Sequence, residues 1–274
     1  MKYGNRGMIS ILPMYDIPEL RAQTDAFWDL LRVLFQELGL ENVPERLSRP
    51  EDLVAAWLNP KLFLGQTCGY PLVTYLRGRV SLVCVPAYTA DGCAGVYYRS
   101  AIMIRHTTNI QSLADLKGKI CAINSYDSNS GMNLLRTTIA PVVAEKSFFK
   151  EILVTGSHFA SLHAVATGAA DVAAIDCVTL ALLSRYKNEV LSEVRRFCWT
   201  PSTPGLPFIT TIHTSPESLH KLQLGLKIVS EDDKFKTLKQ SLLLDHFENL
   251  GLEDYDQLLA LEHASIAAGY PTLA

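Results

Sequence analysis

The chain predicts an α/β protein of two lobes with a ligand cleft, and three observations carry that prediction. Short apolar runs alternate with longer helical patterns along most of the sequence, as in sheets flanked by helices. Two stretches, residues 97–105 and 199–207, read as crossover strands between lobes. Two strand ends run straight into helix starts rich in Ser, Asn and Gly, where ligands of open α/β sheets sit. The expected organisation is a discontinuous lobe 1 of residues 1–98 plus 205–274, with residues 99–204 inserted as lobe 2. Repeated strand–helix alternation predicts mostly parallel sheets.

The elements follow in order. "MISIL" reads as a strand, and the next segment as an amphipathic helix with Leu30, Leu31, Leu34 and Leu38 on one face and Gly39 as its stop. A short helix over "PEDLVAAWL", a strand over "KLFLG", a helix over "YPLVTYL" and a buried strand over "RVSLVCVPAY" complete the first half-lobe. "YYRSAIMIR" is β-rich, and "SLADLKG" is a short helix with Ser112 as N-cap and Gly118 as stop. Strands "KICAIN", "EILVTG" and "DVAAID" then alternate with helices from about 129 to 139, over "SHFASLHAVATG" and over "VTLALLSRYK". "VRRFCWT" and "FITTIHT" are strands on either side of the Pro-rich "PSTPGLP", and three helical segments close the chain.

Composition narrows the function classes. Of 274 residues, 48% are hydrophobic and 19% charged, so a sizeable core is available and disorder is excluded. A net charge of −3 without a basic block argues against nucleic acid or anionic membrane as the main partner. No apolar stretch reaches the roughly 18 residues that a membrane-spanning helix needs, so no membrane insertion is expected. The N-terminal "MKYGNRGMISILPMYD" lacks the features of a signal peptide, since Pro13 and Asp16 interrupt its short apolar run. Six cysteines fall in no CxxC or zinc-finger spacing and read as buried hydrophobes, although Cys68 and Cys93 flank turn-like segments and are able to pair. His106, His163 and His213 are too scattered to form a metal set. HExxH, P-loop, GxGxxG and GxSxG motifs are all absent, so neither a cofactor nor a catalytic residue is expected.

The stretch "INSYDSNSGMNLL" points to a ligand. It carries no Lys or Arg, yet it joins a strand to a helix whose first N–H groups have no intrahelical partner. Ser125, Ser128 and Ser130 add hydroxyl donors, and Gly131 lets a ligand approach the backbone. The competing reading is a plain capping loop. "TGSHFASLHAVATGAADVAAID" repeats the arrangement, with His158 in a first helical turn and Asp176 at the next strand end.

"SLADLKGKICAINSYDSNSGMNLLR", "GSHFASLHAVATGAADVAAID" and "QTCGYPL" together resemble the phosphate/phosphonate-type solute-binding proteins of ABC transporters, which have the periplasmic binding protein type 2 fold. The resemblance runs from about residue 8 to 210 and is most specific in 112–180. It implies an oxyanion held by Ser125, Ser128, Asn129 and Ser130, with His158 also in contact. It implies aromatic closure by Tyr15 and Tyr70, with Tyr88 and Tyr126 as weaker candidates. Asp176 lies near the position of one acid that grips the amino group of an aminophosphonate, and it also reads as a cap of the next helix. The second such acid belongs to a "PGDP"-like turn, which here reads "PGLP", with Leu206 in the acid's place. That departure favours a small anion without an amine. Arg99, Arg105 and Arg136 are assigned to a solvated face.

The implied function is capture of a small anionic ligand in an interlobe cleft, with an ABC permease as partner if the chain is exported and a periplasmic location in that case. The alternatives are a cytoplasmic cofactor-biosynthesis enzyme or a ligand sensor on the same fold.

Overall fold

The structure, a computed structural model, describes residues 7–144 and 147–274; the first six residues, part of the N-terminal stretch read above for a leader, lie outside it. The chain divides into two compact units, one holding the chain up to Thr89 with Gly205–Leu252, the other Ala90–Pro204 with Glu253–Ala274. The sequence reading assigns all of 205–274 to the first lobe. The last segment sides instead with the second unit, because Asn133 and Arg136 donate to the carbonyls of Leu258 and Pro271 there, at 3.3 and 2.8 Å.

In the first unit, the five strands lie in the order Ile9–Ile11, Leu62–Gln66, Phe208–Thr211, Val80–Tyr88, Leu244–Glu248. Only the first two pair in parallel; the other three pairings are antiparallel. In the second unit the order is Glu151–Val154, Ile120–Ile123, Val172–Asp176, Ser100–Arg105, Val194–Trp199. Its first three strands are parallel, and Ser100–Arg105 opposes both of its neighbours. Both sheets are therefore mixed where mostly parallel ones were expected. Ser100–Arg105, within the first predicted crossing, and Phe208–Thr211, just after the second, each insert between strands of opposite direction. The short segments Tyr97–Tyr98 and Thr203–Pro204 pair antiparallel as a small ribbon of the second unit.

The helix Arg21–Glu37 buries Thr24, Phe27, Trp28, Leu31, Leu34 and Phe35, the 3.6-residue stripe that its sequence predicts. Leu30 and Leu38 flank that stripe and are partly buried. These side chains pack with Phe63, Leu64, Val83, Phe208, Leu226 and Phe235 into the first unit's core, each worth about 1.5–3 kcal/mol on burial. Phe35 reaches the helix Pro216–Glu231 because Gly225 has no side chain: a Cβ there would sit 2.6 Å from Cε1 of the Phe35 ring. The second unit's core gathers Ala101, Met103, Ala122, Leu162, Val165, Ala173 and Ile175 from its central strands and the helix His158–Thr167.

The strand Leu244–Glu248 lies where the sequence reads only helical segments. Leu244 and Phe247 are buried while Asp245 and Glu248 are exposed, and an irregular register between Leu244 and Phe247 breaks the period-2 pattern that marks a strand. All six cysteines are free thiols. Cys93 lies beside Cys177, with their sulfurs 3.5 Å apart, and is not partnered by Cys68.

Candidate anion-binding site

The strand Ile120–Ile123 delivers the chain to Asn124, and a turn through Ser125–Asp127 brings it to Ser128. Ser128 is extended (φ −79°, ψ 129°), and its Oγ accepts the Gly131 N–H at 3.0 Å, as an N-cap does. The following residues, Asn129–Asn133, form a π-helical turn, with the Asn133 N–H bonded to the Ser128 carbonyl at 3.0 Å. Such wide turns recur at functional sites. The α-helix proper, Leu134–Ile139, continues from it.

Ser128, Ser130 and His158 come together. The two serine hydroxyls lie 3.4 Å apart, and Ser130 Oγ is 2.8 Å from His158 Nε2. His158 opens the helix His158–Thr167, whose N-cap Ser157 accepts the Ala160 N–H at 3.1 Å and whose end is Gly168 in the left-handed conformation. Gly131 lies between the two segments. A Cβ on it would fall 1.9 Å from Asn124 Oδ1 and 3.3 Å from His158 Cε1. Asn124 Oδ1 is itself buried without a hydrogen-bond partner, an uncommon condition for a polar atom.

Burial lowers the His158 pKa to about 4, against a smaller opposing effect of the Ala174 carbonyl. The imidazole is therefore neutral at pH 7. A neutral ring carries one N–H: on Nε2 it donates to Ser130 Oγ and leaves the serine O–H free for an anion, whereas on Nδ1, toward the Ala174 carbonyl, it makes Nε2 the acceptor of the serine O–H. Because the unfolded chain binds this proton near pH 6.5 and the folded chain does not, the fold loses stability as pH drops from 6.5 to 4. The loss at pH 4 is expected to reach roughly 3 kcal/mol. Urea midpoints across that range, compared with those of His158→Gln, check it: the variant should show a flatter profile.

The remaining expected site residues are placed as follows. Asn129 is fully buried and turned inward, its Nδ2 donating to the Tyr98 hydroxyl at 3.0 Å and to Thr203 Oγ1 at 3.1 Å. Ser125 is partly exposed in the turn. Asp176 is 1% exposed, and its Oδ1 accepts the Thr179 N–H at 2.9 Å, which is the capping geometry. Tyr15 and Tyr70 belong to the first unit and are buried there. Tyr15 meets Tyr88 edge to face at 5.0 Å. The Tyr88 hydroxyl and the Leu206 carbonyl both accept from Gln66 Nε2, each at 3.2 Å. Tyr126 is 58% exposed.

Behind the serines runs a buried polar chain that the sequence reading passes over. Asn133 Nδ2 donates to Asn129 Oδ1 at 3.1 Å, and Arg136 donates to Asn133 Oδ1 at 2.8 Å. Arg136 also faces Glu262 at 3.3 Å. Far from a solvated face, it is 4% exposed. Arg99 is exposed and Arg105 partly so. The signal was present: Asn129, Asn133 and Arg136 stand at i, i+4 and i+7, a polar stripe on the face of a helix.

Among the described residues no helix is long and apolar enough to cross a membrane, and no group of three or more His, Cys, Asp or Glu is placed to hold a metal ion.

This two-unit mixed α/β fold is that of the type 2 periplasmic binding proteins, the class to which solute-binding components of importers belong. The sequence matches the family model for the ABC transporter phosphonate periplasmic substrate-binding protein over residues 9–255, and the chain belongs to that family. The binding protein component of an ABC phosphonate transporter from Pseudomonas aeruginosa superposes with a TM-score of 0.70 at 18% identity, covering 97% of each chain. PhnD1 from Prochlorococcus marinus, solved with methylphosphonate, gives 0.72 at 14% identity, covering 94% of this chain and 98% of its own. XAC2383 from Xanthomonas citri, solved with ATP, gives 0.71 at 15% identity, covering 96% and 98%. No curated protein sequence matches the chain.

Proposed function

We propose that this chain captures a small oxyanion of the phosphate or phosphonate class as the substrate-binding component of an ABC-type uptake system, and performs no chemistry on it. In this reading the chain works in the periplasm and passes its ligand to a permease. The observation that carries the proposal is the cluster of Ser128, Ser130 and His158 around a bare Gly131, in a chain of the phosphonate-binding family. Neutral hydroxyl and N–H donors suit an oxyanion that must be released as readily as it is bound.

The same geometry speaks against a hydrolase. Ser130, not Ser128, meets His158, and the group acting on the imidazole from elsewhere is the Ala174 backbone carbonyl, not the carboxylate that a triad needs. Leu206 brings no carboxylate for an ammonium group, which supports a ligand without an amine, such as phosphate or methylphosphonate. Tyr15 and Tyr70 are proposed as aromatic ligand contacts on the strength of the family resemblance, and Asp176 as a residue beside the ligand that retains its capping bond.

Thermal melts with millimolar phosphate, sulfate, methylphosphonate, aminoethylphosphonate and small carboxylates test this. A ligand at 100 times its Kd adds about 2.7 kcal/mol, a rise of several degrees. The expected result is a rise with phosphate or methylphosphonate that exceeds the rise with aminoethylphosphonate and is lost in the Ser128→Ala/Ser130→Ala double variant. Flat melts across the panel in ligand-free protein would sink the proposal.

A further inference from the structure

Cys93 and Cys177 stand 84 positions apart in sequence, yet their sulfurs are 3.5 Å apart in the second unit. Three neighbouring contacts hold Cys93 there. Gly92 has φ +99°, and a Cβ on it would lie 2.8 Å from the Trp199 ring and 3.0 Å from Cys177 Cβ, so only glycine lets the loop settle this close. The Asp91 carboxylate accepts from Arg196 at 2.9 Å. The Arg196 guanidinium in turn lies 4.1 Å from the centre of the Trp199 ring. These contacts fix the loop just before its thiol, and the Ala94 N–H bonded to the Tyr97 carbonyl at 2.9 Å holds it just after.

From this geometry we infer that Cys93 and Cys177 are a site of reversible disulfide formation, which would cross-link the loop before Tyr97 to the residue that follows Asp176. A disulfide needs about 2.05 Å between sulfurs, so the pair must close by roughly 1.5 Å, within reach of small side-chain rotations. Cys93 is partly exposed and Cys177 is 1% exposed. Contact with Cys93, burial and the charge of Asp176 hold the Cys177 thiol above its ordinary range. Cys93 is therefore the attacking thiol. With glutathione disulfide as oxidant, the Cys93 thiolate attacks one sulfur and releases one glutathione thiolate. Cys177 then gives up its proton, and its sulfur attacks Cys93 and displaces the second glutathione. Two protein thiols are oxidised, and one glutathione disulfide is reduced to two thiols. The closed loop contains Ser128, Ser130 and His158, so the bond would tie together the ends of the segment that carries the serine–histidine cluster.

The test is incubation of the purified chain with glutathione disulfide, followed by thiol titration in denaturant and a non-reducing peptide map. Titratable thiols are expected to fall from six to four, with one cross-linked peptide pair joining Cys93 to Cys177. The melting temperature should exceed that of the dithiothreitol-treated protein by roughly 5–15 °C, from the entropy of a closed loop this long. Cys93→Ser should abolish the cross-link and the shift while keeping the reduced protein's circular dichroism. Six remaining thiols, a stable glutathione adduct on Cys93, or a bridge through any other pair would each overturn the inference. Because the readout is covalent, it stands or falls independently of whether phosphate binds.

Discussion

Replacing Arg136 by alanine is expected to destabilise the protein by about 3–5 kcal/mol, the range for removing one partner from a buried charged network. The side chain is 4% exposed and holds three groups at once: Asn133 Oδ1, the Pro271 carbonyl and the Glu262 carboxylate. Its loss leaves the first two without that donor in a dry interior and opens a cavity the length of an arginine. Glu262 keeps 21% of its side chain exposed and can turn to water, so Glu262→Gln should cost markedly less. Urea unfolding of both variants and of the double variant would separate the terms. A loss below about 1 kcal/mol for Arg136→Ala would show that the polar chain is not a stabilising element.

Gly131→Ala is expected to weaken oxyanion binding at least tenfold, or about 1.4 kcal/mol, and to cost about 1–3 kcal/mol of stability through overpacking. The added methyl would sit 1.9 Å from Asn124 Oδ1, so Asn124 or the π-helical turn must move. Moving the turn displaces Ser128 and Ser130, whose hydroxyls depend on the Gly131 N–H and on His158 for their aim. Asn124→Ala combined with Gly131→Ala removes the colliding oxygen and should recover much of the stability. Calorimetric titration with phosphate or methylphosphonate compares the three proteins. Unchanged affinity in Gly131→Ala would place the ligand elsewhere.

Where one residue type has few physical uses, the sequence was a sufficient guide. Ser112 forms its capping box, Ser157 and Ser128 cap their helices, and Gly39, Gly118 and Gly168 take positive φ at the predicted stops. These are local effects of a single side chain or of its absence. What escaped depends on partners far away in sequence. The direction of Phe208–Thr211 is set by strands more than a hundred residues earlier. Arg136 reads as a surface residue until Glu262 and Pro271 are known to face it. Asn129 looks like a ligand donor because Tyr98 and Thr203, which accept both its amide protons, lie on a ribbon of two-residue strands too short to announce themselves. The serine–histidine cluster was legible in its members but not in its pairing, since nothing in spacing favours Ser130 over Ser128.

The polar chain from Asn129 to Pro271 also constrains how the protein acquires its structure. The second unit's core is laid down by residues 90–204, and of the groups that Arg136 meets only Asn133 belongs to that segment; Glu262 and Pro271 come later. Between those two segments the ribosome must make all of Gly205–Leu252, which completes the other unit. At a synthesis rate on the order of ten residues per second, a guanidinium destined for the interior waits several seconds for its partners. During that interval the guanidinium has only the neutral Asn133 amide as a partner, so burying its charge is costly. Such long-range closure raises contact order and slows folding.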